Sequence, residues 1–138
     1  TLTCPAGWNS FGLKCYKISH QPLTFWNASE YCNNQNADVI MPRTAEEVNT
    51  MQTLVGQINS TKSWHGIWIG LTDIESEGTW FWNDGTKLNS TNELWNTETN
   101  EPNGFRTENC AIGHKWTENY KWTDVSCNAD NRVVCQLK

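Results

Sequence analysis

The sequence predicts an α+β domain held by disulfides. Three observations carry that expectation. Two segments of helical period come early, short strand-like runs with long loops follow, and six Cys punctuate a chain of 138 residues. One domain is expected across residues 1–138, a length that supports a core yet leaves a fold small enough to gain from crosslinks.

Strand propensity appears first at Lys14–Ile18. A helix fits Thr24–Gln35, with Thr24 as N-cap and Phe25, Ala28 and Cys32 on one face. Thr44-Ala45-Glu46-Glu47 forms a capping box, and Val48, Met51, Val55 and Ile58 follow at helical spacing. The pattern changes at Trp64. Ile67–Leu71 is a continuous apolar run fit for a buried central strand, and Trp80–Trp82 is a short strand closed by the Asn83-Asp84-Gly85 turn. Residues 83–108 carry almost no periodicity, and so long a loop is either functional or a sign of misassigned elements. Strands resume at Asn109–Gly113, Tyr120–Trp122 and Val133–Gln136. Nine Trp is heavy usage, and most are expected to anchor core or loops.

An even number of Cys in so short a chain implies three disulfides and an oxidising compartment. Many pairings are open from sequence alone. Cys4 and Cys15 flank a turn-rich stretch, Cys110 and Cys127 bracket a hairpin-like segment, and Cys32 and Cys135 remain to tie a helix to the last strand. The sequons beginning at Asn27, Asn59 and Asn89 agree with a secreted glycoprotein. No apolar run approaches the ~18 residues of a membrane span. No signal peptide is present, so a mature secreted protein or an excised ectodomain is expected. The net charge of −5, with no Lys/Arg cluster, argues against a nucleic-acid partner.

Chemistry concentrates late in the chain. Glu101-Pro102-Asn103, then Glu108, then Trp122-Thr123-Asp124 just ahead of Cys127 gather carboxylates and a carboxamide oxygen. Hard oxygens suit Ca²⁺, which takes six to eight of them at roughly 2.3–2.6 Å. No Cys or His accompanies them, which argues against zinc, and His20, His65 and His114 have no metal spacing. A carboxylate-ringed ion left partly open to water also accepts hydroxyl oxygens from outside, which is a way to hold a sugar. The plainer account is turn chemistry, because Asn and Asp crowd loops by bonding local backbone.

On these residues the chain resembles the C-type lectin domain family from Cys4 to Cys135. Trp68-Ile69-Gly70-Leu71 is similar to the family's core-strand signature, and Glu101-Pro102-Asn103 to its sugar-binding tripeptide. Trp122-Thr123-Asp124 with Cys127 is similar to its Trp-Asn-Asp element. The resemblance implies two helices flanking small antiparallel sheets, a long irregular loop region, and the pairs Cys4–Cys15, Cys32–Cys135 and Cys110–Cys127. The first of these pairs marks the long form. It also implies a principal Ca²⁺ held by Glu101, Asn103, Glu108 and Asp124, with Thr123 where the family has Asn. Asp73, Glu77 and Glu108 match the pattern of an auxiliary Ca²⁺ site, with Asn109 standing where a further acidic or oxygen-bearing side chain usually helps.

The same resemblance implies a lectin that binds glycans or glycoproteins. Glu101, Asn103, Glu108 and Asp124 would hold the sugar; the Trp count separately leaves stacking on sugar faces open as a role for one or two of the nine. The Glu/Asn order implies a preference for equatorial 3- and 4-hydroxyls, as in mannose, glucose, N-acetylglucosamine or fucose. One shallow site binds at roughly millimolar strength, so a homo-oligomer is expected for avidity. Two other functions compete. Thr123, Gly104 and Asn109 favour a calcium-independent member of the same fold that binds a protein surface. A glycosidase needs a carboxylic acid kept protonated, for which the crowded acids and amides around Glu101 and Glu108 are the wrong setting, so no catalysis is expected.

Overall fold

The computed structural model describes residues 3–56, 66–89, 95, 102, 108–114 and 121–138. Strand β1 (Asn9–Phe11) pairs antiparallel with β2 (Lys14–Ile18) through a turn at Gly12, whose φ of 58° lies in the left-handed region that glycine tolerates. Helix α1 (Phe25–Asn33) starts where Thr24 accepts the Asn27 backbone N–H at 3.2 Å. It buries Phe25, Ala28 and Cys32, the face that periodicity predicts. Asn36 then takes a left-handed φ of 58° and turns the chain into β3 (Ala37–Val39).

Helix α2 (Ala45–Gly56) begins at Thr44, whose hydroxyl oxygen accepts the Glu47 N–H at 3.1 Å. The return bond of the expected capping box differs: Glu47 Oε1 accepts the Arg43 N–H at 3.3 Å and the Thr44 hydroxyl at 3.2 Å. Val48, Met51, Leu54 and Val55 form its buried stripe, and Ile58 lies outside the described residues.

The remaining strands are β4 (Gly66–Thr72), β5 (Phe81–Trp82), β6 (Cys110–His114), β7 (Trp122–Val125) and β8 (Arg132–Leu137). They join β1 and β2 in the order β1-β2-β8-β4-β6-β7, with β3 on β8 and β5 on β4. The β4–β8 pairing is parallel and the others antiparallel, so the sheet is mixed. Tyr120 lies outside the described residues, and Trp122 opens β7 where a strand ending there was expected. Strands β1 and β3 had no sequence expectation.

β4 is the spine of the core. Ile67, Trp68, Ile69 and Leu71 are fully buried, and Trp68 Nε1 donates to the Leu23 carbonyl at 2.7 Å. Gly70 is required there, because a Cβ would lie 2.9 Å from the Val39 carbonyl oxygen and 3.1 Å from Met41 Cγ. All three expected disulfides are present. Cys4–Cys15 pins the leading segment to β2, Cys32–Cys135 ties α1 to β8, and Cys110–Cys127 closes the base of the β6–β7 hairpin. Cys32–Cys135 spans 103 residues. A loop of that order contributes about 4.7 kcal/mol in the chain-entropy account.

Asn27 and Asn89 are exposed, as modification of their sequons would need, and Asn59 lies outside the described residues. No described helix is long and apolar enough to cross a membrane.

Candidate functional site

β4, β6 and β7 lie side by side, and the candidate ligands sit where they end. Thr72 pairs with Cys110 and Cys110 with Val125, so the ends carrying Asp73, Glu108 and Asp124 are neighbours about 4.8 Å apart from strand to strand. The Cys110–Cys127 bridge clamps this end of the β6–β7 hairpin.

Asp124 is 1% exposed and belongs to β7, where it pairs with Ala111. Glu108 is half-buried at the mouth of β6. Burial first, and the Asp124 carboxylate second, push its carboxyl above the ordinary range. Both causes oppose the charged form of Glu108, and a cation beside it would offset them. Thr123 is half-buried beside Asp124 and pairs with Ile112.

Asp73, 2% exposed, offers a second acidic corner. Its backbone N–H donates to the Asn109 carbonyl at 3.1 Å, which joins the end of β4 to the start of β6. Its Oδ2 accepts the Gly78 N–H at 2.9 Å, while its buried Oδ1 has no hydrogen-bond partner among the described residues. A buried carboxylate oxygen with an idle lone pair is costly unless something fills it. Glu77 is exposed on the turn that follows.

Of the Glu101-Pro102-Asn103 tripeptide only Pro102 is described, and it is exposed; Glu101 and Asn103 lie outside the described residues. Among the described residues no three His, Cys, Asp or Glu side chains converge tightly enough to hold a metal by themselves. The donor chemistry nonetheless fits calcium: oxygen donors only, two mutually opposed carboxylates, and one idle carboxylate oxygen.

Tryptophans build the wall beneath this corner. Trp95, within the long loop, forms a parallel bridge with Trp122, and their rings meet edge to face at 5.6 Å. Trp95 also meets Trp80 at 4.8 Å, and Trp122 meets Trp82 at 5.5 Å. Arg43 caps Trp82 at 5.6 Å and pairs with Asp84 at 2.8 Å. Trp95 went unnoticed in the sequence because its partners lie far away in the chain. The apolar pair Leu94-Trp95 in a mostly polar stretch is the signal the sequence offers. Five of the Trp are thus anchors, as expected.

The Lectin C-type domain model matches residues 21–137. The chain belongs to the C-type lectin domain family. The lectin domain is 34% identical over 134 residues to C-type lectin domain family 4 member M of Nomascus concolor, covering 96% of this chain and 31% of that protein. It therefore spans about a third of the length of that relative. It is 30% identical to a perlucin-like protein of Mytilus galloprovincialis over 94% of this chain and 79% of the relative. Among solved structures, the mouse scavenger receptor C-type lectin carbohydrate-recognition domain superposes with a TM-score of 0.79 at 27% identity, covering 98% and 96% of the two chains. This kinship supports carbohydrate binding in general, by domains that are typically not enzymes.

Proposed function

We propose that the chain, as one domain, is a calcium-dependent lectin for sugars with equatorial 3- and 4-hydroxyls, the mannose, fucose, glucose and N-acetylglucosamine class. The observation that carries this is the juxtaposition of Glu108 and Asp124: burial first, and the Asp124 carboxylate second, raise Glu108, and a cation between the two would offset both. Glu101, Asn103, Glu108 and Asp124, with the Thr123 hydroxyl as a neutral donor, would hold the principal Ca²⁺. Asp73, Glu77 and Asn109 are the auxiliary set. Bound calcium would supply coordination positions for two vicinal sugar hydroxyls.

The chain's own groups do the rest. The carboxylates of Glu101 and Glu108 accept hydroxyl protons, and ionised acceptors make the stronger bonds. The Asn103 amide donates to a hydroxyl lone pair. Buried Asp124 fixes the floor, and the Cys110–Cys127 bridge keeps Glu108 beside it. Secretion, N-glycosylation at Asn27, Asn59 or Asn89, and self-association for avidity belong to the same proposal.

One observation favours a second function. Thr123 stands in β7 where the resemblance calls for a carboxamide, which is what a calcium-independent, protein-binding member of the fold would show. Thermal melts separate the two. A ligand of the native state raises the midpoint by mass action, so millimolar Ca²⁺ should raise the melting temperature of the chain and leave an Asp124→Asn variant unmoved. An unchanged midpoint in the unaltered chain would favour the protein-binding alternative.

A further inference from the structure

A groove of about 320 Å³ lies between the β1–β2 hairpin and the first turns of α2, and it shares no residue with the candidate sugar site. Phe11 and Leu13 form its apolar side. Leu13 is 89% exposed, more than the two other large apolar side chains left at the surface, Trp26 and Ile74. Tyr16 lies at its base, 2% exposed.

The polar side is unevenly satisfied. Glu47 is saturated by Lys14 Nζ at 2.9 Å, the Arg43 N–H and the Thr44 hydroxyl. The Thr50 hydroxyl donates back to the Glu46 carbonyl. The Glu46 carboxylate reaches across to the hairpin, its Oε1 only 3.3 Å from where a Cβ on Gly12 would stand, and it has no ion-pair partner among the described residues. The Tyr16 phenol donates no hydrogen bond among the described residues. Burial, then Glu47 and Glu46, push the phenol up to about 12, so it stays neutral beside those carboxylates. Lys14 neutralises Glu47, which leaves one negative charge, Glu46, uncompensated at the rim of an apolar trough.

We propose that this groove docks a basic side chain, lysine or arginine, presented by a protein partner. The cationic head would sit at Glu46 and the Tyr16 oxygen, with the aliphatic stem along Phe11 and Leu13. Long basic side chains combine these two chemistries, an apolar stem and a charged tip made only of donors.

The test uses nuclear magnetic resonance on the full chain in chelator, so that its outcome is independent of calcium and sugar. The probe is acetyl-glycyl-lysyl-glycinamide, with the same peptide acetylated on the lysine Nζ as the uncharged control. Saturable shifts are expected at the amides of Gly12, Leu13 and Glu46. The affinity should fall by about five-fold or more for the acetylated peptide and for Glu46→Gln, because a charge-assisted contact is lost. Tyr16→Phe keeps the ring and removes only the hydroxyl, and should weaken binding by about two- to ten-fold. Equal binding of the two peptides, equal binding to Glu46→Gln, or shifts confined to other residues would overturn the proposal.

Discussion

The indole rings of Trp95 and Trp122 meet at 90° with centroids 5.6 Å apart, one ring from the long loop and the other from the strand that carries Asp124. An edge-to-face pair of this kind contributes about 0.5–1.5 kcal/mol beyond the area it buries. It holds Trp95 against the strand that carries Asp124. Trp122 also carries a buried Nε1 with no hydrogen-bond partner among the described residues, so packing, not hydrogen bonding, holds this contact.

Trp95→Ala should therefore cost about 3–5 kcal/mol of stability, the usual penalty for emptying a large aromatic site. The calcium-induced rise in melting temperature should shrink with it. Urea titrations with and without Ca²⁺ measure both quantities. A variant as stable as the parent would mean that the contacts of Trp95 with Trp80 and Trp122 add nothing to stability.

Glu108→Gln should act in opposite directions with and without metal. In chelator it removes a half-buried charge that the Asp124 carboxylate opposes, so the variant should melt at or above the parent temperature. In excess Ca²⁺ the parent should gain stability and the variant should gain less. A variant that melts lower than the parent in chelator would contradict the opposition of the two carboxylates.

Gly70→Ala should destabilise by about 1–3 kcal/mol, because the new methyl meets the backbone carbonyl of Val39 at 2.9 Å and backbone yields poorly. Chemical denaturation gives the number. A neutral substitution would show that the strand and the segment from Val39 to Met41 can part without loss.

Asp84 supplies a pH dependence away from the metal ligands. The Thr86 backbone N–H is the first cause holding its carboxyl below the ordinary range, and Arg43 adds to it. A depressed folded-state value means the contribution is present above the unfolded pKa and is lost as pH falls through the folded one. Water screens the pair, so Asp84→Asn should cost only about 0.5–1 kcal/mol at pH 7. The difference from the parent should vanish in acid below the usual carboxylate range. Stability curves of the two proteins that stay parallel down to that pH would exclude the Asp84 contribution.

Local signals were legible and long-range ones were not. Thr24 with Phe25, Ala28 and Cys32 announces α1, because a cap and a helical stripe are properties of nearby residues. The apolar run Ile67–Leu71 announces the buried strand for the same reason. Strand β3 escapes detection because it has three residues, carries Asp38 in its middle, and exists through a left-handed turn at Asn36 and pairing with distant β8. β7 is misplaced because Trp122 looks like the end of an apolar segment, while Thr123 and Asp124 are held in the strand by β6. The acids of the candidate site could be named from motif order. That Asp124 opposes Glu108, and that Asp73 joins β6 through Asn109, follows from strand pairing that no single stretch of sequence encodes.

The most direct measurement is calorimetric titration of methyl α-mannoside into the chain, first stripped by chelator and then at millimolar Ca²⁺. The lectin account predicts binding near millimolar, about −4 kcal/mol, that appears only with the metal and disappears again on re-addition of chelator. Mannoside binding of equal strength in both conditions, or in neither, would contradict it.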